Sequence, residues 1–112
     1  MKLAFLALML LLAGAKFTQA QDAPHYTDEL LRVCEANPIR TPCEWYLKGF
    51  IDGIMVNPGS NRIATSCLPD TFTLDQIRRV IVKSFSDHPE KLHLNVADSV
   101  KDALAAAFPC KK

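Results

Sequence analysis

Four cysteines, Cys34, Cys43, Cys67 and Cys110, and three histidines, His25, His88 and His93, are the residues of this chain best suited to chemistry. Such residues can hold zinc, a histidine can activate a cysteine for attack on a carbonyl, and cysteines alone can pair. Spacing and count decide among these. His88 and His93 lie five apart with Pro89 between them, so they do not share a helix face as an i, i+4 ligand pair would. An even cysteine count in a short exported chain reads as two disulfides, which leaves no thiol for a nucleophile or a metal. No glycine-rich phosphate loop or serine-centred elbow occurs, and acids such as Glu44, Asp52 and Asp75 are scattered along helical stretches. No catalytic group, metal or cofactor is expected, and the chain reads as a binding module rather than an enzyme.

The reading as an exported chain rests on the N-terminus. Lys2 supplies a positive start, residues 3–15 are an uninterrupted apolar run, and Thr18-Gln19-Ala20 places small residues at the −3 and −1 positions of a cleavage site. A bilayer span needs roughly 20 apolar residues, more than this run supplies before Lys16. Residues 1–20 are therefore expected to be a signal peptide, and residues 21–112 a single domain with no membrane insertion after cleavage. The signal holds two lysines and no acid, so its removal takes the net charge from +1 to −1. With no basic stripe, nucleic acid is excluded as a partner. A domain this small is marginally stable without covalent help.

The elements that must position these residues are helices. Thr41-Pro42-Cys43-Glu44 and Thr73-Leu74-Asp75-Gln76 are two capping boxes, with Thr at the N-cap and Glu or Gln three residues on. The first opens a helix over 42–56, with ridges Tyr46-Phe50-Ile54 and Leu47-Ile51-Met55 that suggest a central place in the fold. The second opens a helix over 74–87 through Leu74, Ile77, Val80, Ile81 and Phe85. A short helix near 27–35 carries Leu30, Leu31 and Cys34, and a last one over 94–108 carries Val96, Val100, Ala103, Leu104 and Phe108. No window alternates with period two, so strands are not expected. The fold class is all-α, a small four-helix, mostly antiparallel, disulfide-stapled domain.

Topology selects among the three pairings that four cysteines allow. Cys34 ends the first helix and Cys43 begins the second, so a tight helical hairpin brings them together. Cys67 precedes the third helix and Cys110 follows the fourth, and antiparallel packing places those ends side by side. A Cys43–Cys67 bridge would have to span the second helix, about 20 Å at ~1.5 Å per residue. The expected pairs are Cys34–Cys43 and Cys67–Cys110.

Recognition residues are sought on exposed positions. Gly49-x-x-x-Gly53 costs helix propensity, which close approach of another helix would justify. Trp45, one turn earlier, is a candidate partner anchor. The polar connector after the second helix contributes Asn57, Ser60, Asn61 and Arg62, and the connector between the third and fourth contributes His88, Glu90 and Lys91.

Taken in order, Cys43-x-x-Tyr46-Leu47-x-Gly49-Phe50-x-x-Gly53, Cys67-Leu68-Pro69, Thr73-x-x-Gln76, His88-Pro89-Glu90, Leu92-His93-Leu94, Ala103-Leu104 and Phe108-Pro109-Cys110 resemble the Rap/Tai-type immunity proteins of bacterial type VI secretion. The resemblance implies a small all-α, disulfide-bonded periplasmic protein, often a homodimer, that binds and blocks a cell-wall amidase effector acting through a cysteine–histidine site. It implies no catalysis by the chain itself. The family pattern often has proline where this chain has Asn95. That change offers Asn95 as an N-cap, with Asp98 three residues on, and moves the start of the last helix one residue later. Two other classes share the size, compartment and helices: a periplasmic acid-stress chaperone and a carrier of small apolar ligands.

Overall fold

Thr73 shows how closely local chemistry sets the elements. Its hydroxyl accepts from the Gln76 backbone N–H at 3.1 Å, and the helix starts at the next residue. The computed structural model describes residues 22–36, 42–56 and 66–111. Their elements are α1 (Thr27–Ala36), α2 (Pro42–Val56), α3 (Leu74–Asp87), a single 3₁₀ turn (Pro89–Lys91) and α4 (Val96–Ala107). All four expected helices form, and no strand occurs among the described residues, only the isolated bridges Tyr26–Asn95 and Ser66–Pro109. Thr41, the other expected cap, lies outside the described residues. So do Asn57, Ser60, Asn61 and Arg62.

The core is one cluster built from each helix's i, i+3/i+4 stripe. Leu30 and Cys34 come from α1, Cys43, Leu47 and Ile51 from α2, Ile77, Ile81 and Phe85 from α3, and Val96, Val100, Ala103 and Leu104 from α4. Each fully buried large aliphatic contributes roughly 1.5–3 kcal/mol of transfer free energy. The central helix is α3, which packs against α1, α2 and α4. This corrects the expectation that the second helix is central. The main neighbours of α2 are α1 and α3. Only one stripe of α2 is covered: Tyr46 and Phe50 are half-buried, and Met55 is 63% exposed. Its wide apolar face is therefore more than the fold uses.

Both disulfides form as expected, Cys34–Cys43 and Cys67–Cys110. The chain-entropy model assigns them about 2.7 and about 4 kcal/mol. The first is wholly buried. The second is reinforced by the Cys67 N–H, which donates to the Phe108 carbonyl at 2.8 Å.

Helix ends are satisfied across elements. The Thr27 and Asp28 N–H groups, orphan donors of α1, donate to the carbonyls of Leu94 (3.1 Å) and Leu92 (3.0 Å). In return, the Val96 N–H of α4 donates to the His25 carbonyl at 3.1 Å. Asn95 caps α4, its Oδ1 accepting from Ala97 N–H at 2.9 Å and Asp98 N–H at 3.4 Å. The helix accordingly starts at Val96. At the far end of α1, Arg78 donates to the Cys34 carbonyl at 3.3 Å while Asp75 grips the same guanidinium. Arg78 is the most enclosed of the ion-paired side chains, 19% exposed, which is why an arginine on the flank of α3 can cap a neighbouring helix.

Candidate functional site

Two surfaces carry the residues singled out by sequence. The first is the segment from His88 to Asn95 that joins α3 to α4. His88 ends α3, its N–H donating to the Phe85 carbonyl at 3.2 Å, and Pro89 at once starts the 3₁₀ turn. The turn closes through Lys91 N–H to His88 carbonyl (3.0 Å), Leu92 N–H to Pro89 carbonyl (3.4 Å) and Leu94 N–H to Lys91 carbonyl (3.0 Å). With its bonds to residues 25–28, this segment is held from both sides, and its side chains stand on fixed backbone.

His88, Glu90 and Lys91 are thus brought together, and all three are exposed. The Glu90 carboxylate lies 3.1 Å from His88 Nδ1. It is held below the ordinary range first by its own backbone N–H and then by the His88 ring. Sequence reasoning passed over Tyr26, 54% exposed, and Leu94, 41% exposed, which join the segment to make a ridge with apolar flanks. Two hollows border this ridge. An open one of about 670 Å³ is lined by Tyr26, Asp28, Pro89, Leu92 and His93. A smaller one of about 130 Å³ lies between α3 and α4.

Tyr26 could have been found by asking what starts α1. Its carbonyl accepts from the Glu29 and Leu30 N–H groups, and the Glu29 carboxylate reaches back to the N–H groups of His25 (2.7 Å) and Tyr26 (3.2 Å). That is half a capping box with Tyr at the cap position, an unusual residue there. Those two N–H donors also lower the Glu29 pKa.

The second surface is the outer side of α2. Trp45, 71% exposed, lines an open hollow of about 650 Å³ with Pro24, His25, Val33, Pro42 and Tyr46. The Tyr46 ring stacks on Phe50 at 6.5 Å between centroids, and burial pushes its hydroxyl pKa up. Gly49 and Gly53 continue this face. Both are exposed, and among the described residues nothing lies within 4 Å of a Cβ built at either. No described helix of this chain therefore packs closely against the glycines. The physical reason is rotation: Cys43, Leu47 and Ile51 turn inward, which points Trp45, Gly49 and Gly53 outward. The structure does not bring Trp45 and the His88–Glu90–Lys91 group into one site, and the three consecutive residues His25, Tyr26 and Thr27 each line a different hollow.

The family model for Rap1a immunity proteins matches residues 26–110, from the Tyr26 cap to the second cysteine of the closing disulfide. The chain belongs to the Rap1a immunity protein family. The matched region takes in both disulfides, all four helices and both surfaces. Neither the curated proteins nor the solved structures gave a match. An immunity protein binds a cognate effector toxin, so the family assigns this chain a binding role. Among the described residues no group of three or more His, Cys, Asp or Glu side chains is placed to hold a metal ion, and both cysteine pairs are closed.

Proposed function

We propose that this chain is a periplasmic, non-catalytic immunity protein that binds and blocks a peptidoglycan amidase delivered by type VI secretion. The single observation that carries this reading is the family match over residues 26–110. The ridge of Tyr26 and residues 88–94 is the surface assigned to the effector. It stands between two hollows, carries mixed polar and apolar side chains, and sits on backbone bonded from both sides. Preorganisation of that kind lowers the entropy cost of docking and favours a slow off-rate. An inhibitor that plugs a cysteine–histidine cleft needs both.

The α2 face is assigned to a second copy of the chain. Its two glycines allow close backbone approach, Trp45 and Met55 supply apolar contact area, and the exposed Lys48–Asp52 pair (2.7 Å) beside the glycines supplies a polar edge. The two assignments separate cleanly by mutation. Capture from the periplasm of the source cell, using tagged chain as bait, is expected to yield a cell-wall hydrolase retained in high salt. Added chain should then stop that hydrolase from releasing peptide from purified peptidoglycan. Capture of many unrelated proteins that increases at low pH would instead favour the chaperone. A captured hydrolase that stays active with excess chain would refute the immunity reading.

A further inference from the structure

The small hollow between α3 and α4 has a chemistry that effector binding does not call for. Its apolar lining is the buried Phe85 and Ala103 with the exposed Ala106 at the rim, and Ser84, Ser99 and the two alanines are small side chains that leave it room. At about 130 Å³ it compares with the roughly 150 Å³ cavity that takes up a benzene-sized molecule. It is lined by Lys91 on one side and by Asp98 and Asp102, one helical turn apart on α4, on the other. Lys91 and Asp102 make no ion pair with each other or with any other described residue, and the only charge Lys91 is seen to act on is that of its neighbour Glu90. Most other basic side chains among the described residues are paired, so two opposite charges left open across one hollow stand out. Asp98 meets Lys101 only at 3.5 Å, on the exposed side.

The hydroxyls inside add polarity of one sense. Thr27 lies 3.0 Å from the Leu94 carbonyl and 2.7 Å from Ser99 Oγ. Thr27 has one hydroxyl proton, so both contacts are met when it donates to Leu94 and Ser99 donates to it. The Ser99 oxygen then keeps lone pairs for a donor inside the hollow. The site thus offers acceptors from α4 (Asp98, Asp102 and Ser99), a cation from the turn (Lys91) and apolar lining from Phe85, Ala103 and Ala106.

The geometry points to a binding site for a small zwitterion, an α-amino acid or the end of a short peptide. Its ammonium faces Asp102 and Ser99, its carboxylate faces Lys91, and its side chain rests on Ala103 and Ala106. This goes beyond the immunity reading and does not depend on it.

The test titrates the disulfide-intact chain with L-alanine, D-alanine and the two dialanines while amide NMR shifts are followed. Ethylammonium and propionate serve as singly charged controls. Saturable shifts at Ser84, Ser99, Ala103 and Ala106 are expected, with a Kd on the order of a millimolar for a ligand of so few atoms. Lys91→Gln and Asp102→Asn should each weaken binding about tenfold, and Ala106→Leu should abolish it by filling the hollow while circular dichroism stays unchanged. Equal affinity for alanine and dialanine assigns a free amino acid, and tighter binding of a dialanine assigns a peptide end. No saturable shift up to about 50 mM, ethylammonium binding as well as alanine, or undiminished affinity in both charge variants would overturn the proposal.

Discussion

The α3–turn–α4 half and α2 are each pinned by a disulfide, yet they are held in different ways. Around α3 and α4 the chain is covered on several sides, helix ends are capped by neighbouring backbone, and the N-terminal segment is bonded into the turn. By contrast, α2 has one buried stripe, an open face with two glycines and a tryptophan, and a buried cystine at its first turn. The first arrangement suits a surface that must not move. The second suits a surface awaiting cover. The difference teaches that apolar residues on a helix do not by themselves place it at the centre of a fold; cover on every side does.

The largest expected effect separates the two halves. Leu104→Ala should destabilise the chain by about 4 kcal/mol, towards the upper end for buried leucines, because α4 is gripped by α1 and α3 and cannot collapse into the gap. Ile51→Ala on α2 should cost about 2 kcal/mol, since an uncovered helix can relax. Urea unfolding of both variants measures this, and equal costs would break the comparison. Next, replacing both Cys34 and Cys43 by alanine should cost about 3 kcal/mol, chiefly the lost loop closure. Hydrogen exchange should then show α2 opening before α3.

Thr27→Val tests the tie between α1 and the turn. It keeps the shape and the backbone bond from residue 27 to the Leu94 carbonyl but leaves the Ser99 hydroxyl without its partner, and should cost about 1–2 kcal/mol. On the α2 face the sign should reverse. Gly49→Ala and Gly53→Ala should each stabilise a monomer by about 0.5–1 kcal/mol, because the added methyl meets none of the described residues and helix propensity improves. The same changes should weaken self-association in sedimentation equilibrium.

The smallest effect is the response to acid. Asp75, lowered first by Arg78 and then by Arg79, and Glu29, lowered by the His25 and Tyr26 N–H groups, have depressed folded-state values. Their contribution is complete above the ordinary values of 3.8 and 4.5 and is lost as pH falls below them. Both carboxylates are exposed to solvent, so thermal melts should fall gently below about pH 4.5 rather than collapse. Glu29→Gln should flatten that slope.

Helix positions and both cystines were legible in the sequence because caps, periodicity and loop lengths are local signals. Asn95 was readable as a cap for the same reason. The place of α2 was not legible, since Tyr46, Phe50 and Met55 look the same in sequence whether neighbours cover them or not. The glycines misled similarly: a small residue is needed for close approach, but its partner need not belong to the same chain. The ridge was half legible. His88, Glu90 and Lys91 announced a connector, but Tyr26 joins them through backbone pairing between segments roughly 65 residues apart, which no local pattern encodes.

The most direct test of the account is inhibition of the captured hydrolase on purified peptidoglycan by ridge and α2 variants. Lys91→Glu combined with Tyr26→Ala should weaken inhibition at least a hundredfold, while Trp45→Ala should inhibit as the native chain does. Inhibition lost with Trp45→Ala and kept by the ridge variant would contradict the assignment of the effector to the ridge.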